Sequence, residues 1–465
     1  MSANTEMYTH FVPEFSVFQD SFVQNGNESK FKIKNYKKKD TENEEIVHEF
    51  NIVSYKKEYL DNDKKGPIIF EENGFQLGTA RSIIFNENND LICFTPPKTV
   101  DYTGFTSKYN YQEAEVVLQE FIEGTMMSVF YNKATSNWEI STKSFVGANN
   151  HFFKSDGNPV TFSKMFHDIC YDFGLDFEFL DKGICYNFVF QHPDNRIVTT
   201  FTEPSLYLIQ MYKIEKTELP GWGVKEHSSL EIWNYLLELN SKLIKPIKMP
   251  LHYPKYLDVH MLQNTYTTPF PNQNGLTEEA IKNISDTGYS GICNWFSRSV
   301  PSNIMGVVIH RIGTGERTKI RNLNFEYIRN LRGNQPKLEY HFLELRKEQK
   351  LQEYLTYFPE HSSKMYGYDE KLRKFSNDLY TNYVSCYIKK EKPLYMFPNE
   401  YKTHMFNIHQ YYLKDLQPNR LSIQRSNVNA FVDNLPPRLL MYCLNLKYRP
   451  NNNNIEQQAT TEMVA

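Results

Sequence analysis

Phe121-Ile122-Glu123-Gly124-Thr125-Met126-Met127-Ser128-Val129-Phe130-Tyr131, followed by Trp138-Glu139-Ile140-Ser141-Thr142-Lys143-Ser144, decides how the chain is read. An acidic residue and a glycine stand at the start of an apolar run. A polar turn follows, and the second run carries one lysine between hydroxyls. Two such runs joined by a short turn predict a pair of antiparallel strands. Glu123 and Lys143 make the pair a candidate floor for a phosphate group.

Working outward, Phe50-Asn51-Ile52-Val53-Ser54-Tyr55 alternates as a half-buried strand does. Ala80–Phe85 and Leu91–Phe94 read as a hairpin across the turn at residues 86–90. Pro96 and Pro97 end its second strand, because proline cannot donate to a ladder. On the far side, Phe162, Met165, Phe166 and Ile169 have helical spacing, and a second helix is expected over 227–244 through Leu230, Trp233, Leu236, Leu237 and Leu243. Ile184–Gln191, Ile197–Phe201, Leu206–Tyr212, Ile304–Ile309 and Thr318–Arg321 read as further strands. From Pro336 the period becomes helical, with Leu338/Phe342/Leu345 and Leu372/Phe375/Leu379/Tyr383/Cys386 as core stripes. Residues 1–45 are expected to be a polar, irregular opening segment, and 451–465 a disordered, low-complexity tail. The expected architecture is α+β: a mainly antiparallel core over 46–330, then an all-helical domain over 331–450.

The chain has 465 residues, 40% hydrophobic and 23% charged, with a net charge of −3. That balance describes a globular protein with room for two or three domains, and it argues against indiscriminate coating of nucleic acid. The charge is uneven: residues 301–450 carry 24 Lys/Arg against 14 Asp/Glu. Phosphate contacts are therefore expected in the basic part. No apolar run is long enough to span a membrane, and Met1–Glu6 has no leader-like pattern. The six cysteines form no CxxC pair and read as reduced thiols of an intracellular protein. No His/Cys cluster has metal spacing, so no metal ligands are assigned, and dinucleotide, P-loop and hydrolase signatures are absent.

Arg81, Lys98, Lys143, Lys319 and Arg321 stand beside the ends or turns of expected strands. Any one of them alone reads as a solvated surface cation. Together they are candidates for a phosphate-lined groove.

The order of these pieces resembles a known family. Ala80–Phe85, Glu123-Gly124-Thr125, Trp138–Lys143, Asn187-Phe188 through Asn195-Arg196-Ile197-Val198, Gly306–Ile309 and Lys319-Ile320-Arg321 resemble the adenylyltransferase core of bacteriophage-type RNA ligases. The nearest likeness is to an RNA-ligase-like family of large DNA viruses. The resemblance covers roughly residues 46–330 and implies an ATP-grasp-like nucleotidyltransferase fold, ATP and Mg²⁺ as cofactors, and RNA as partner. It also implies a cytoplasmic setting such as a viral factory, or packaging in the virion. In that family a lysine amine attacks the α-phosphorus of ATP, and the AMP then passes to an RNA 5′-phosphate. By resemblance, Arg81 and Glu123 would contact the nucleotide or RNA end, Lys143 would support phosphates, and Lys319 with Arg321 would grip the α-phosphate. Three positions depart from the pattern: Phe121 stands where the nucleophilic lysine belongs, and Val189 and Met305 replace carboxylates. The expected function is thus binding of nucleotide or RNA through a degenerate pocket. The alternatives are end-joining with a relocated nucleophile, for which Lys98 is the candidate, and a virion or assembly protein, with protein partners, that reuses the fold.

Overall fold

The computed structural model describes residues 8–20, 30–39, 47–56, 69–70, 75–151, 160–253 and 288–446. The chain divides into two compact units, residues 1–151 with 160–330, and residues 152–159 with 331–465. The fold is α+β, every ladder between its strands is antiparallel, and the C-terminal region is helical.

In the first unit a seven-stranded sheet runs in the order 9–13, 221–226, 205–216, 184–191, 125–132, 137–142, 145–146. Thr125–Asn132 pairs with Asn137–Thr142 as the alternation predicts, with Ser128 opposite Ser141. Phe121 to Gly124 precede this strand rather than belonging to it. One side of the large sheet meets a smaller one built from Phe31–Lys39, Val47–Tyr55, Ile83–Phe85 and Leu91–Phe94. Phe50, Ile52, Ile84, Phe94, Phe130 and Val224 fill the space between. Against the other side lie helices Phe162–Phe173 and Ser229–Asn240, packing Phe166, Ile169, Leu236 and Leu239 on Phe188, Phe190 and Leu208.

Four expectations are corrected. Residues 9–13 and 31–39 are strands, not an irregular opening segment, and Val12, Phe15, Phe18 and Phe31 are buried in the core. Four apolar side chains interleaved with polar ones carry enough burial to order a segment whose average composition is polar. Residues 80–82 turn rather than extend, so the hairpin's first strand is only Ile83–Phe85. The second long helix is shorter, and its buried stripe is Ile232, Leu236 and Leu239 while Leu230 and Leu237 face solvent. A capping box between Ser228 and Glu231 sets its start and therefore its phase. Finally, Ile197–Phe201 forms no strand, for a reason given below. The proposed tail, 451–465, lies outside the described residues.

The second unit is built from helices Leu338–Lys347, Leu351–Tyr357, Ser362–Tyr383, Asn399–Tyr411, Arg425–Asn434 and Pro437–Asn445. Leu338, Phe342, Leu345, Leu372, Phe375 and Leu379 are buried, as their spacing requires, whereas Cys386 is only partly covered. No helix among the described residues is long and apolar enough to cross a membrane.

Candidate functional site

A separate four-stranded sheet in the first unit forms one wall: His252–Tyr253, Val116–Glu120, Gly306–Arg311 and Arg317–Arg321, in that order. Side chains alternate across a strand, so Arg317, Lys319 and Arg321 share one face while Thr318 and Ile320 point to the other. Lys319 lies opposite Val308, Val308 opposite Gln119, and Gln119 opposite His252. Arg317 lies opposite His310. One face is thus basic and polar. The other packs Leu118, Val307, Ile309 and Ile320 against Phe105, Ile292 and Phe296.

Phe121 leaves the end of Val116–Glu120 with its N–H donating to the Gly306 carbonyl at 3.4 Å. Its ring centroid lies 5.8 Å from Lys319 Nζ and 5.8 Å from Arg321 Cζ. An aromatic face attracts cations but cannot bond covalently to phosphorus. The guanidinium of Arg321 also pairs with Glu326, a carboxylate it shares with Arg329.

The Pro-Pro break brings in the remaining cations. Pro96 and Pro97 have no N–H, but their carbonyls accept from Arg81 Nη1 at 3.4 Å and Arg317 Nη2 at 2.5 Å. The Lys98 N–H donates to the Gly78 carbonyl at 2.9 Å, and the Val100 N–H to the Arg317 carbonyl at 2.8 Å. This short segment therefore ties Arg81 to the last strand and sets Lys98 beside them.

Electrostatics show how tightly the group is gathered. Burial first, then Arg321, Arg81, Arg317 and Lys98, push the Lys319 amine down to about 8. Burial and the neighbouring Arg317 also lower the Arg81 pKa. The charged groups acting most strongly on Lys319 are all cations. Such crowding is unfavourable by itself and is relieved by a bound anion. Deeper along the same face, His310 is driven down to about 3 by burial and by Arg317. Its Nε2 and Arg317 Nε have no hydrogen-bond partner among the described residues.

Glu123 and Lys143 are placed differently. Glu123 is buried, and its Oε1 accepts from the N–H groups of Val198 at 2.6 Å and Thr199 at 3.1 Å. Its own carbonyl accepts from Gln191 Nε2 at 2.9 Å, and Asn195 Nδ2 donates to Thr125 Oγ1 at 2.8 Å. Burial raises the Glu123 pKa, opposed by the hydrogen bonds from Thr199 and Val198 and by Arg196. The carboxylate clamps 195–199 onto the start of the central hairpin. Amides spent on Glu123 cannot join a ladder, which is why Ile197–Phe201 is not a strand. Lys143 is exposed in the turn after Asn137–Thr142, its amine 5.3 Å from the Tyr55 ring centroid. It is not among the groups acting most strongly on Lys319.

The structure thus gathers Arg81, Lys98 and Arg321 near Lys319, sets Lys319 and Arg321 over the Phe121 ring, and leaves Lys143 over Tyr55. It adds Arg317, which the sequence reading missed although the spacing Arg317, Lys319, Arg321 is a strand-period signal. This donor set suits phosphate oxygens. It does not suit Mg²⁺ held by protein carboxylates. Val189 is an apolar core residue, Met305 offers only a thioether, and Glu123 is committed to backbone amides. No group of three or more His, Cys, Asp or Glu among the described residues could hold a metal ion. No protein-family model matches this sequence, and no curated protein is significantly similar to it.

Proposed function

We propose that the first unit is an RNA-ligase-like, nucleotidyltransferase-type module that binds the phosphates of a nucleotide or of RNA without forming a lysine adduct at position 121. The observation that carries this reading is the gathering of Arg81, Lys98, Arg317 and Arg321 near Lys319, on a strand face where Lys319 and Arg321 lie over the Phe121 ring. Five cations supply attraction for several phosphate oxygens, and the Phe121 ring supplies a flat apolar surface beside Lys319 and Arg321. Attack on an α-phosphorus would require a nucleophile there, which phenylalanine lacks. Incubation with α-³²P-ATP and Mg²⁺ tests the reading. Reversible nucleotide or RNA binding with no label after denaturation is expected, whereas a covalent AMP adduct would overturn it.

One observation favours a second reading, an active nucleotidyltransferase. Lys98 belongs to the same cation group and acts on Lys319. Were its amine the nucleophile, the parent protein would label and Lys98→Ala would not. Equal labelling of both proteins would exclude it.

A further inference from the structure

Outside the cleft, the second unit presents a patch of different character. The run Lys389-Lys390-Glu391-Lys392-Pro393 leads into a tight turn, Leu394–Met396, just before helix Asn399–Tyr411. The turn is closed by the Met396 N–H donating to the Pro393 carbonyl at 3.0 Å, and the Phe397 ring anchors it in the interior. Tyr395 is consequently held outward at 75% exposure, and Phe406 on the neighbouring helix is 48% exposed. Leu394, Tyr395, Lys402, Thr403 and Phe406 line an open hollow of about 550 Å³. Lys402 and Thr403 lie four and three residues before Phe406, so each neighbours it on one side of the helix. The Lys402 amine donates to Asn399 Oδ1 at 2.8 Å, which keeps its stem along the hollow.

Fixed, solvent-facing aromatic rings cost apolar exposure and contribute nothing to the core. Their surroundings indicate the chemistry of what covers them. Lys389, Lys390 and Lys392 immediately precede the turn, and the one acid among them, Glu391, is engaged by Ser385 Oγ at 2.7 Å and by Lys389 at 3.5 Å. The chain leading into the turn is therefore rich in positive charge, Lys402 lines the hollow, and Tyr395 and Phe406 give it aromatic walls. An uncharged apolar partner would make no use of this positive charge. A single-stranded nucleic acid satisfies both features, with bases stacking on rings and phosphates meeting ammonium groups.

We propose that the hollow between Tyr395 and Phe406 is a stacking site for the bases of single-stranded RNA, with Lys390, Lys392 and Lys402 neutralising the adjoining phosphates. This site lies in the second unit and does not depend on how the basic group around Lys319 is read. The test is binding of the full chain to a fluorescent single-stranded oligonucleotide, with thiouridine photo-crosslinking and peptide mapping. Crosslinks are expected within 389–406, and Tyr395→Ala with Phe406→Ala should weaken binding by roughly tenfold or more. Both side chains are exposed, so the fold should persist, and a far-ultraviolet dichroism spectrum checks this. Lys392→Glu should weaken binding too, more at low salt than at high salt. Unchanged affinity of the doubly substituted protein would overturn the proposal and leave the hollow to a protein partner. So would crosslinks confined to the first unit, or heparin competing with RNA equally in the parent and the doubly substituted protein. Lys319→Ala in parallel separates the two sites, because loss there with no effect at Tyr395 and Phe406 supports the cleft alone.

Discussion

Lys319 is a basic group held where its charge is unfavourable. Its amine titrates near 8 because burial and four neighbouring cations disfavour protonation. The unfolded chain still binds that proton up to the ordinary lysine range, so stability rises with pH between about 8 and 10.5 on this account. Below about 8 both states are protonated and the full penalty remains. Lys319→Met should therefore raise the thermal midpoint at neutral pH, by an amount worth about 1–3 kcal/mol, measured by calorimetry. A bound anion reverses the balance by stabilising the ammonium form. Binding near pH 8 should take up a proton, and affinity for a nucleoside triphosphate should fall as pH rises through that value. Titration calorimetry in buffers of different ionisation enthalpy would reveal the uptake, and a pH-independent affinity would contradict it. Glu123 illustrates the opposite use of a charge, as a receptor for two backbone amides. Glu123→Gln retains one suitable oxygen and should cost about 1–3 kcal/mol, with faster amide exchange at Val198 and Thr199.

At the scale of elements, two glycines hold the hairpin and the basic sheet in position. Gly124 has φ +147° and Gly306 φ +140°, conformations that a side chain disfavours. A Cβ at Gly124 would collide with the Phe190 carbonyl oxygen and the Val189 side chain, and one at Gly306 with the Ile320 carbonyl oxygen. These are close approaches of one backbone to another, so relief would require separating strands. Gly124→Ala should destabilise by about 2–5 kcal/mol, read as loss of soluble folded protein or a lower thermal midpoint. Neighbouring elements show what periodicity could and could not foretell. The strand Ile184–Gln191 and the start of helix Phe162–Phe173 follow from local pattern and capping. The extent of the 229–240 stripe and the loss of a strand at 197–201 were decided by a cap and by a distant carboxylate. Neither leaves a signal in the spacing of apolar residues.

Across the whole molecule, net charge is close to balanced while cations beside aromatic rings gather in two places of different chemistry. The basic sheet has Lys319 and Arg321 over one ring; the helical unit has exposed rings near a run of lysines in sequence. Binding of RNA should accordingly be salt-dependent. Removing one phosphate contact, as in Lys319→Ala, should reduce the slope of log affinity against log salt by about 0.7 for a single strand. Arg317→Ala is expected to lose more than one contact's worth, because its guanidinium also secures the Pro96-Pro97 segment that carries Lys98.

The sequence by itself determined the α+β class, the central hairpin, the helical stripes after Pro336 and the residue types suited to phosphate. Each of these depends on local composition, alternation or turn chemistry, which short stretches of chain contain in full. Only the tertiary structure decided that Arg81, Lys98, Arg317 and Arg321 gather near Lys319, that Glu123 serves the backbone, and that Lys143 lies over Tyr55. Those outcomes depend on strand register and on carbonyl groups freed by two prolines. Such relations join residues from 75 to 220 positions apart, and no local pattern encodes them.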